Sequence, residues 1–299
     1  MDAKKRQDLP AGLWVVATPI GNLGDLSPRA LAALEQADFI LCEDTRRAAQ
    51  LLAATLGSGG GQSLERLDAH ASPKKLEVVA HRLAAGESAA LITDAGTPAI
   101  SDPGSALVRL CREKGVRITG VPGPSSVPAL LSVCGFEETA FAFRGFLPRK
   151  AGEIREELKA AAEASKISRV FVWFESPQRI EESLALLAEQ SPDSDVVAAK
   201  ELSKLHEKLF AGSASQVAAQ VREELAREGA RGEWCFAVRF PELKASESAV
   251  SANSSDWVKA LECLLSAGVS ASEAARQVSQ HFGVARNEAY TAALAKKSK

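Results

Sequence analysis

The chain has 299 residues, 46% of them hydrophobic and 25% charged, with 36 Lys and Arg against 38 Asp and Glu and a formal net charge of -2. That composition excludes disorder throughout, and the length exceeds what one core usually fills, so two domains and a tail are expected. The balanced charge gives no global attraction to nucleic acid, and five scattered cysteines without a CxxC pair argue for reduced thiols against a disulfide framework or zinc cluster. No apolar run approaches a membrane span and MDAKKRQDLPAG lacks the core of a signal peptide, so a cytoplasmic protein away from any membrane is expected.

In chain order, Leu13 to Ala17 reads as a buried strand. The turn TPIGNLGD follows, and then a helix over Ala30 to Ala37 with Ser27 as N-cap and Pro28 at its first position. The unit recurs: Phe39 to Cys42 precedes EDTRRAAQLLAATL, Ala89 to Ile92 precedes TDAGTPAISDPG, and Val116 to Val121 precedes PGPSSVPALLSVCG. Short apolar strands alternating with helices predict a parallel sheet, with ligand loops at the C-terminal ends of its strands. In TDAGTPAISDPG, Gly96 and Gly104 permit positive φ or close approach of a ligand, while Pro98 and Pro103 stiffen the loop and remove two amide donors. Such a loop builds a site or merely connects a strand to its helix, and the segment by itself weighs the two evenly.

Beyond Pro124 the pattern predicts a second α/β domain. Its strands are Phe141 to Phe146, Val170 to Phe174, Val196 to Ala199 and Trp234 to Phe240, with helices at Glu153 to Ala164, Arg179 to Glu189 and Ser215 to Glu228. The expected division is 13–123 and 124–243 for the α/β domains, 244–255 for a linker, and 256–299 for a helical extension. The extension carries helical patterns at Asp256 to Ala267, Ser270 to Phe282 and Asn287 to Ala295. Its stripe Ala271, Ala274, Ala275, Val278 suits packing against another helix or subunit better than reading RNA. From Trp257 onward six Lys or Arg face three Glu, a mild attraction to phosphate.

Several chemistries find no support. His70, His81, His206 and His281 form no HxxxH pair, there is no GxSxG elbow, PIGNLGD misses the GxGxxG fingerprint, and GSGGG at Gly57 to Gly61 lacks the Lys-Ser/Thr of a phosphate loop. His70, in LDAHASPKK, reads as a hydrogen-bonded surface residue ahead of a proton shuttle. What remains is a set of backbone-rich loops, TPIGNLGD, TDAGTPAISDPG and VPGPSS, suited to a compact nucleoside-type ligand.

LWVVATPIGNLGDLSPRAL, CEDTR, TDAGTPAISDPG, VPGPSS, GFLPRK, FESPQR, AKELSK and RGEW, in this order, resemble the ribosomal RNA small subunit methyltransferase I family of the tetrapyrrole methylase superfamily. The resemblance covers about Leu13 to Phe240, and GVSASEAARQVSQHFGVARNEAYTAAL is similar to the family's helical extension. It implies two α/β domains with S-adenosylmethionine in the cleft between them, usually as a homodimer, plus the small C-terminal helical extension. The implied reaction is methylation of the ribose 2′-oxygen of a cytidine in 16S ribosomal RNA, as free RNA or in the 30S subunit. By the same resemblance the cofactor would meet Pro19 and Ile20 in the first loop, Asp94, Gly96, Thr97 and Ser101 in the second, and Ser125 and Ser126 in the third, with Phe174 and Leu202 near the adenine. Gln178 stands where the family often has histidine and Lys200 where it often has arginine, which weakens a role in the reaction for either side chain.

Methyl transfer to a hydroxyl requires the proton to leave, and Glu43, Asp44, Glu175 and Glu201 are the carboxylates at strand ends able to take it. Each has a structural alternative. Glu43 and Asp44 beside Arg46 suit an ion-paired helix start, Glu175 a helix cap, and Glu201 a pair with Lys200 or Lys204. Arg46, Arg144, Arg149, Lys150 and Arg179 form a candidate RNA phosphate surface, or else a solvated charged loop. Two rival functions stay open: methylation of a tetrapyrrole precursor, and a non-catalytic RNA-binding ribosome-assembly factor.

Overall fold

Two five-stranded sheets organise the chain as far as Arg239. The computed structural model describes residues 9–57, 61–100, 103–166, 168–242, 254–266 and 269–297. By their packing they form two compact units that divide after Pro241.

The first sheet contains β1 (Gly12–Val16), β2 (Phe39–Cys42), β3 (Ser63–Arg66), β4 (Ser88–Leu91) and β5 (Ile118–Val121) in the order β3-β2-β4-β1-β5, all parallel. Successive residues alternate between two cores because side chains on a strand point to opposite faces. Trp14, Val16, Ile40, Cys42, Ala90 and Ile92 face one way. Against them pack α1 (Pro28–Gln36) and α2 (Thr45–Leu56) through Ala30, Ala33, Leu34, Ala48 and Leu52. Leu13, Phe39, Leu41, Ala89 and Leu91 face the other way, covered by α3 (Pro73–Ala84) and α4 (Ser105–Glu113). Ser27 caps α1 as expected, its side chain accepting from the Ala30 amide with Pro28 inside the first turn.

Two elements of this first half escaped the sequence pattern. Ser72-Pro73 repeats the Ser27-Pro28 start signal and opens α3, where LDAHASPKK reads as plain loop. SLER in β3 has a single apolar residue and becomes a strand because β2 offers it a hydrogen-bonding edge.

α5 (Ser126–Cys134) leads into the second sheet, which holds β6 (Phe141–Phe146), β7 (Val170–Glu175), β8 (Asp195–Lys200), β9 (Lys208–Ser213) and β10 (Trp234–Arg239) in the order β6-β7-β10-β8-β9. Only β6 and β7 run parallel. On one face Phe171, Trp173, Val196, Ala198, Phe236 and Val238 pack under α6 (Ala151–Glu163), α7 (Ile180–Gln190) and α8 (Ala214–Glu228). On the other, Val172, Val197, Ala199, Cys235 and Ala237 receive Val127 and Leu130 of α5. β9 is a second unpredicted strand, half-exposed at the sheet edge, whose KLFAGS has too few apolar residues to announce itself.

In the second unit, α9 (Ser254–Ser266), α10 (Ala271–Phe282) and α11 (Arg286–Lys297) share a core. Ala271, Ala274, Ala275 and Val278 pack there with Trp257, Leu261, Ala289 and Ala293, so the stripe on α10 serves helix packing. Of the linker expected at 244–255, only 254 and 255 are described, as the start of α9. Among the described residues no helix is long and apolar enough to cross a membrane.

Candidate active site

The loops that leave β1, β2, β4 and β5 lie at one edge of a parallel sheet, where crevices for ligands form. They are tied together by groups that burial forces to find partners. Thr18, fully buried, exchanges backbone hydrogen bonds of 2.9 and 3.0 Å with Gly96, and its Oγ1 donates to the Thr93 carbonyl at 3.0 Å. Gly96 has φ +85°, a left-handed conformation that favours glycine, and a Cβ there would lie 3.5 Å from Ile20 Cγ2. Thr93 Oγ1 donates to Glu43 Oε1 at 2.5 Å, and Thr97 Oγ1 donates to the Pro124 carbonyl at 3.2 Å.

Opposite these loops stand the ends of β7 and β8 and the start of β10. Antiparallel pairing brings the three together, with Trp234 in register with both Glu175 and Lys200. The cleft between the two sheets holds a cavity of about 370 Å³. Ile20, Glu43, Asp94, Gly96, Thr97, Ser125 and Ser126 line it from the first side, with Phe174, Glu175 and Leu202 from the second. Phe174 is braced by the rings of Phe143 and Phe146, centroids 4.8 and 5.5 Å away.

Of the expected cofactor residues, Ile20, Asp94, Gly96, Thr97, Ser125, Ser126, Phe174 and Leu202 all meet in this cavity. Pro19 lines an adjoining one of about 400 Å³, and Ser101 lies outside the described residues. The sequence reading missed Arg47, Ile100, Val127, Phe146 and the run Gly232 to Cys235, which also line the first cavity. RGEW signalled that run as a motif without saying which residues turn inward.

The four candidate carboxylates separate by their commitments. Asp44 caps α2, accepting from the Arg46 amide at 2.8 Å and pairing with the Arg46 guanidinium at 2.8 Å; these bonds hold its carboxyl below the usual range. Glu175 is buried, with Oε1 accepting from the Ser176 amide and Arg179 and Oε2 from Ser183 Oγ. Burial pushes the Glu201 carboxyl up, but bonds from Lys204 and the Glu233 amide outweigh this and leave it lowered. Glu201 does not line the cavity. Glu43 does, and Thr93 is its one hydrogen-bond donor among the described residues.

The candidate phosphate-binding residues do not converge into one free surface. Arg46 is 87% exposed and paired with Asp44; Arg144 forks onto Glu157 at 2.7 and 2.8 Å; Lys150 pairs with Glu153. Arg179 bonds the Leu147 and Pro148 carbonyls and Glu175, pinning GFLPRK to FESPQR. Arg149 is exposed. His70 is exposed in a local turn with Asp68 and lines neither cavity. Arg47, one residue beyond CEDTR, is the cation that enters the cleft, its Nη1 3.0 Å from Asp94 Oδ2.

Two α/β sheets whose strand-end loops close over a small, largely apolar cavity with a few polar groups form a small-ligand binding fold, and the model of the tetrapyrrole (corrin/porphyrin) methylases matches residues 12–218. The solved methyltransferase CobJ shares the fold, with TM-score 0.55 at 16% identity over 78% of this chain and 96% of its own. Ribosomal RNA small subunit methyltransferase I of Xylella fastidiosa (strain Temecula1) is 44% identical over 222 residues, 74% of this chain and 79% of its own. The protein of that name from Neisseria meningitidis serogroup B is 36% identical over 96% of this chain and 94% of its own. The chain therefore belongs to the tetrapyrrole methylases and, within them, to the ribosomal RNA small subunit methyltransferase I family; it is a methyltransferase.

Proposed function

We propose that this protein transfers the methyl group of S-adenosylmethionine to the ribose 2′-oxygen of a cytidine in small-subunit ribosomal RNA, acting in the cytoplasm as a homodimer. The observation that carries the reading is the cavity between the sheets, where residues suited to each part of the donor converge in a protein whose relatives bear that name. Asp94 offers a carboxylate to the donor's cationic end. Ser125 makes no side-chain cap at α5, so the first-turn amides of Ser126 and Val127 are left for an anion such as the donor's carboxylate. Pro128 fits at the third position of that helix because an amide there would lie among the unpaired donors of the first turn. Ile20, Phe174 and Leu202 supply apolar walls for the adenosyl group.

When bound, S-adenosylmethionine supplies an electrophilic methyl carbon on a sulfonium. Positioning by the interlocked loops contributes much of the rate. Glu43 takes the proton of the ribose hydroxyl as the oxygen–carbon bond forms and the carbon–sulfur bond breaks with its electron pair going to sulfur; Thr93 holds that carboxylate at the cavity wall. The homodimer reading draws support from Val133, Phe141 and Phe146, apolar residues about half exposed on α5 and on the edge strand β6.

Small subunits from cells lacking the methyltransferase, incubated with labelled S-adenosylmethionine, should yield 2′-O-methylcytidine on nucleoside mass spectrometry. Methylation of a base, or none, would overturn the reaction. Light scattering should give twice the chain mass.

A further inference from the structure

We propose that the second cavity, beside the donor cavity, receives the RNA nucleoside that is to be methylated, drawn out of its strand. This rests on the function proposed above and adds where the acceptor sits and which residues hold it. The cavity measures about 400 Å³, within the range of small-ligand sites. It shares Ile20, Arg47, Thr93, Asp94, Ala95 and Glu233 with the donor cavity, so ligands in the two would meet at the Thr93 to Ala95 turn.

One wall is a face of α2. Arg47, Gln50, Leu51 and Ala54 follow the i, i+3, i+4, i+7 spacing of one helical stripe and line the cavity together with Ala48; Ala48 and Leu51 also pack against the sheet core, to which Leu52 belongs. The exposed edge of that face, at Arg47, Gln50 and Ala54, is what α2 offers to a ligand. The opposite wall is the TPIGNLG turn, with Pro19 and Leu23. Apolar Leu23, Leu51 and Pro19 suit the faces of a base, and the Gln50 amide offers both a donor and an acceptor to a base edge. Lys204 and Arg47 are the cations of this lining, held in place by Glu201 and Glu233 and by Asp94, and a flanking phosphate would meet them as members of those pairs.

The third wall reaches across from the second sheet and is held there against strain. Between β8 and β9, Glu201 and Ser203 adopt φ of +54° and +67°, conformations costly for residues with a Cβ and kept only where surroundings over-determine them. Those surroundings are specific: Glu201 bonds Lys204 and the Glu233 amide, Lys204 also bonds Glu233 at 3.0 Å, and Ser203 Oγ donates to Asp25 Oδ2 at 2.5 Å. Gly21 lets the two loops touch, since a Cβ there would lie 2.3 Å from Lys204 Cγ and 3.1 Å from its backbone nitrogen. The strained turn thus seats Lys204 at the cavity.

The test uses the whole protein. Ala54→Trp fills the cavity from an exposed helix position, and Gln50→Ala removes the base-edge amide without touching a core. Each is compared with wild type for S-adenosylhomocysteine affinity by calorimetry and for methylation of undermethylated small subunits. Expected are donor affinities within about twofold of wild type, and a loss in kcat/KM for subunits of roughly tenfold for Gln50→Ala and more for Ala54→Trp. Wild-type turnover in both variants would overturn the acceptor assignment alone. Loss of S-adenosylhomocysteine binding would give the cavity to the donor and likewise overturn it. A wild-type protein that binds S-adenosylhomocysteine yet methylates no ribose overturns the function first, and the acceptor site with it.

Discussion

At the scale of single residues, two acidic side chains of the cleft should separate binding from chemistry. Among the described residues Asp94 pairs only with Arg47, whose side chain is 67% exposed, so Asp94→Ala leaves no buried charge behind. The variant should fold normally and bind S-adenosylhomocysteine roughly 10- to 100-fold more weakly, the loss of a charge-assisted hydrogen bond, by calorimetry. Glu43→Gln should keep donor affinity and lower single-turnover methylation by about 100-fold or more, the scale of a lost general base. Equal turnover in Glu43→Gln would remove Glu43 from the reaction. Lys200 is of another kind. Its side chain is 5% exposed and its ammonium bonds Glu224 and Glu228, both at 2.8 Å, away from the cavity. A point charge serves two carboxylates there, so the planar fork of an arginine is not required. Lys200→Met should cost about 3 kcal/mol in urea unfolding, near the lower end for breaking a buried pair because Lys208 and Arg227 still reach Glu224. Donor affinity should be unchanged.

At the scale of elements, the site depends on how strands end. β4 leads toward α4, whose N-cap is Gly104 with φ +124°. A Cβ at Gly104 would lie 2.8 Å from Leu91 Cδ2, at the base of the same loop. Gly104→Ala should therefore combine backbone strain with a core clash and destabilise by roughly 2–3 kcal/mol, lowering Tm and donor affinity together. Stability equal to wild type would show that the turn relaxes without cost. The elements legible in advance were those with dense apolar runs, such as Phe39–Cys42 and Val170–Glu175, whose four or more buried positions leave no other reading. β3 and β9 were not legible. Both are edge strands with half-exposed residues, and a neighbour's unpaired backbone groups make them strands more than their own side chains do.

At the scale of the whole molecule, acid should loosen the fold through carboxylates spread across both sheets. Asp38 is lowered chiefly by hydrogen bonds from the Ser88 amide and hydroxyl, which join the start of β2 to β4. Glu157 is lowered by Arg144, and Glu228 is brought from 4.5 to about 2 by Lys200 and Lys208. A carboxyl lowered in the folded chain adds stability that is complete above its unfolded value and is lost as pH falls through its folded value. Tm should thus stay level down to about pH 5 and fall between about pH 4.5 and 2. Thermal melts across that range test it, and Asp38→Asn should flatten part of the fall. A Tm that rises on acidification would contradict the sign.

The sequence alone determined the strand–loop–helix units, the parallel first sheet, the helical extension and the loops that form the site, because apolar runs, Ser-Pro starts and glycine turns act locally. Tertiary structure decided which side chains those loops turn toward the cavity. Asp44 and Glu43 are adjacent in sequence, yet one caps a helix and the other faces the cleft; Arg46 points to solvent and Arg47 inward. A helix rotates each residue by about 100° from the last, so Arg46 and Arg47 part according to how α2 rests on the sheet, whereas Glu43 and Asp44 lie ahead of the helix, in the extended backbone that leaves β2. The run Gly232 to Cys235 reaches the same cavity only because β10 pairs antiparallel with β7 and β8, a contact between distant segments that no local pattern encodes.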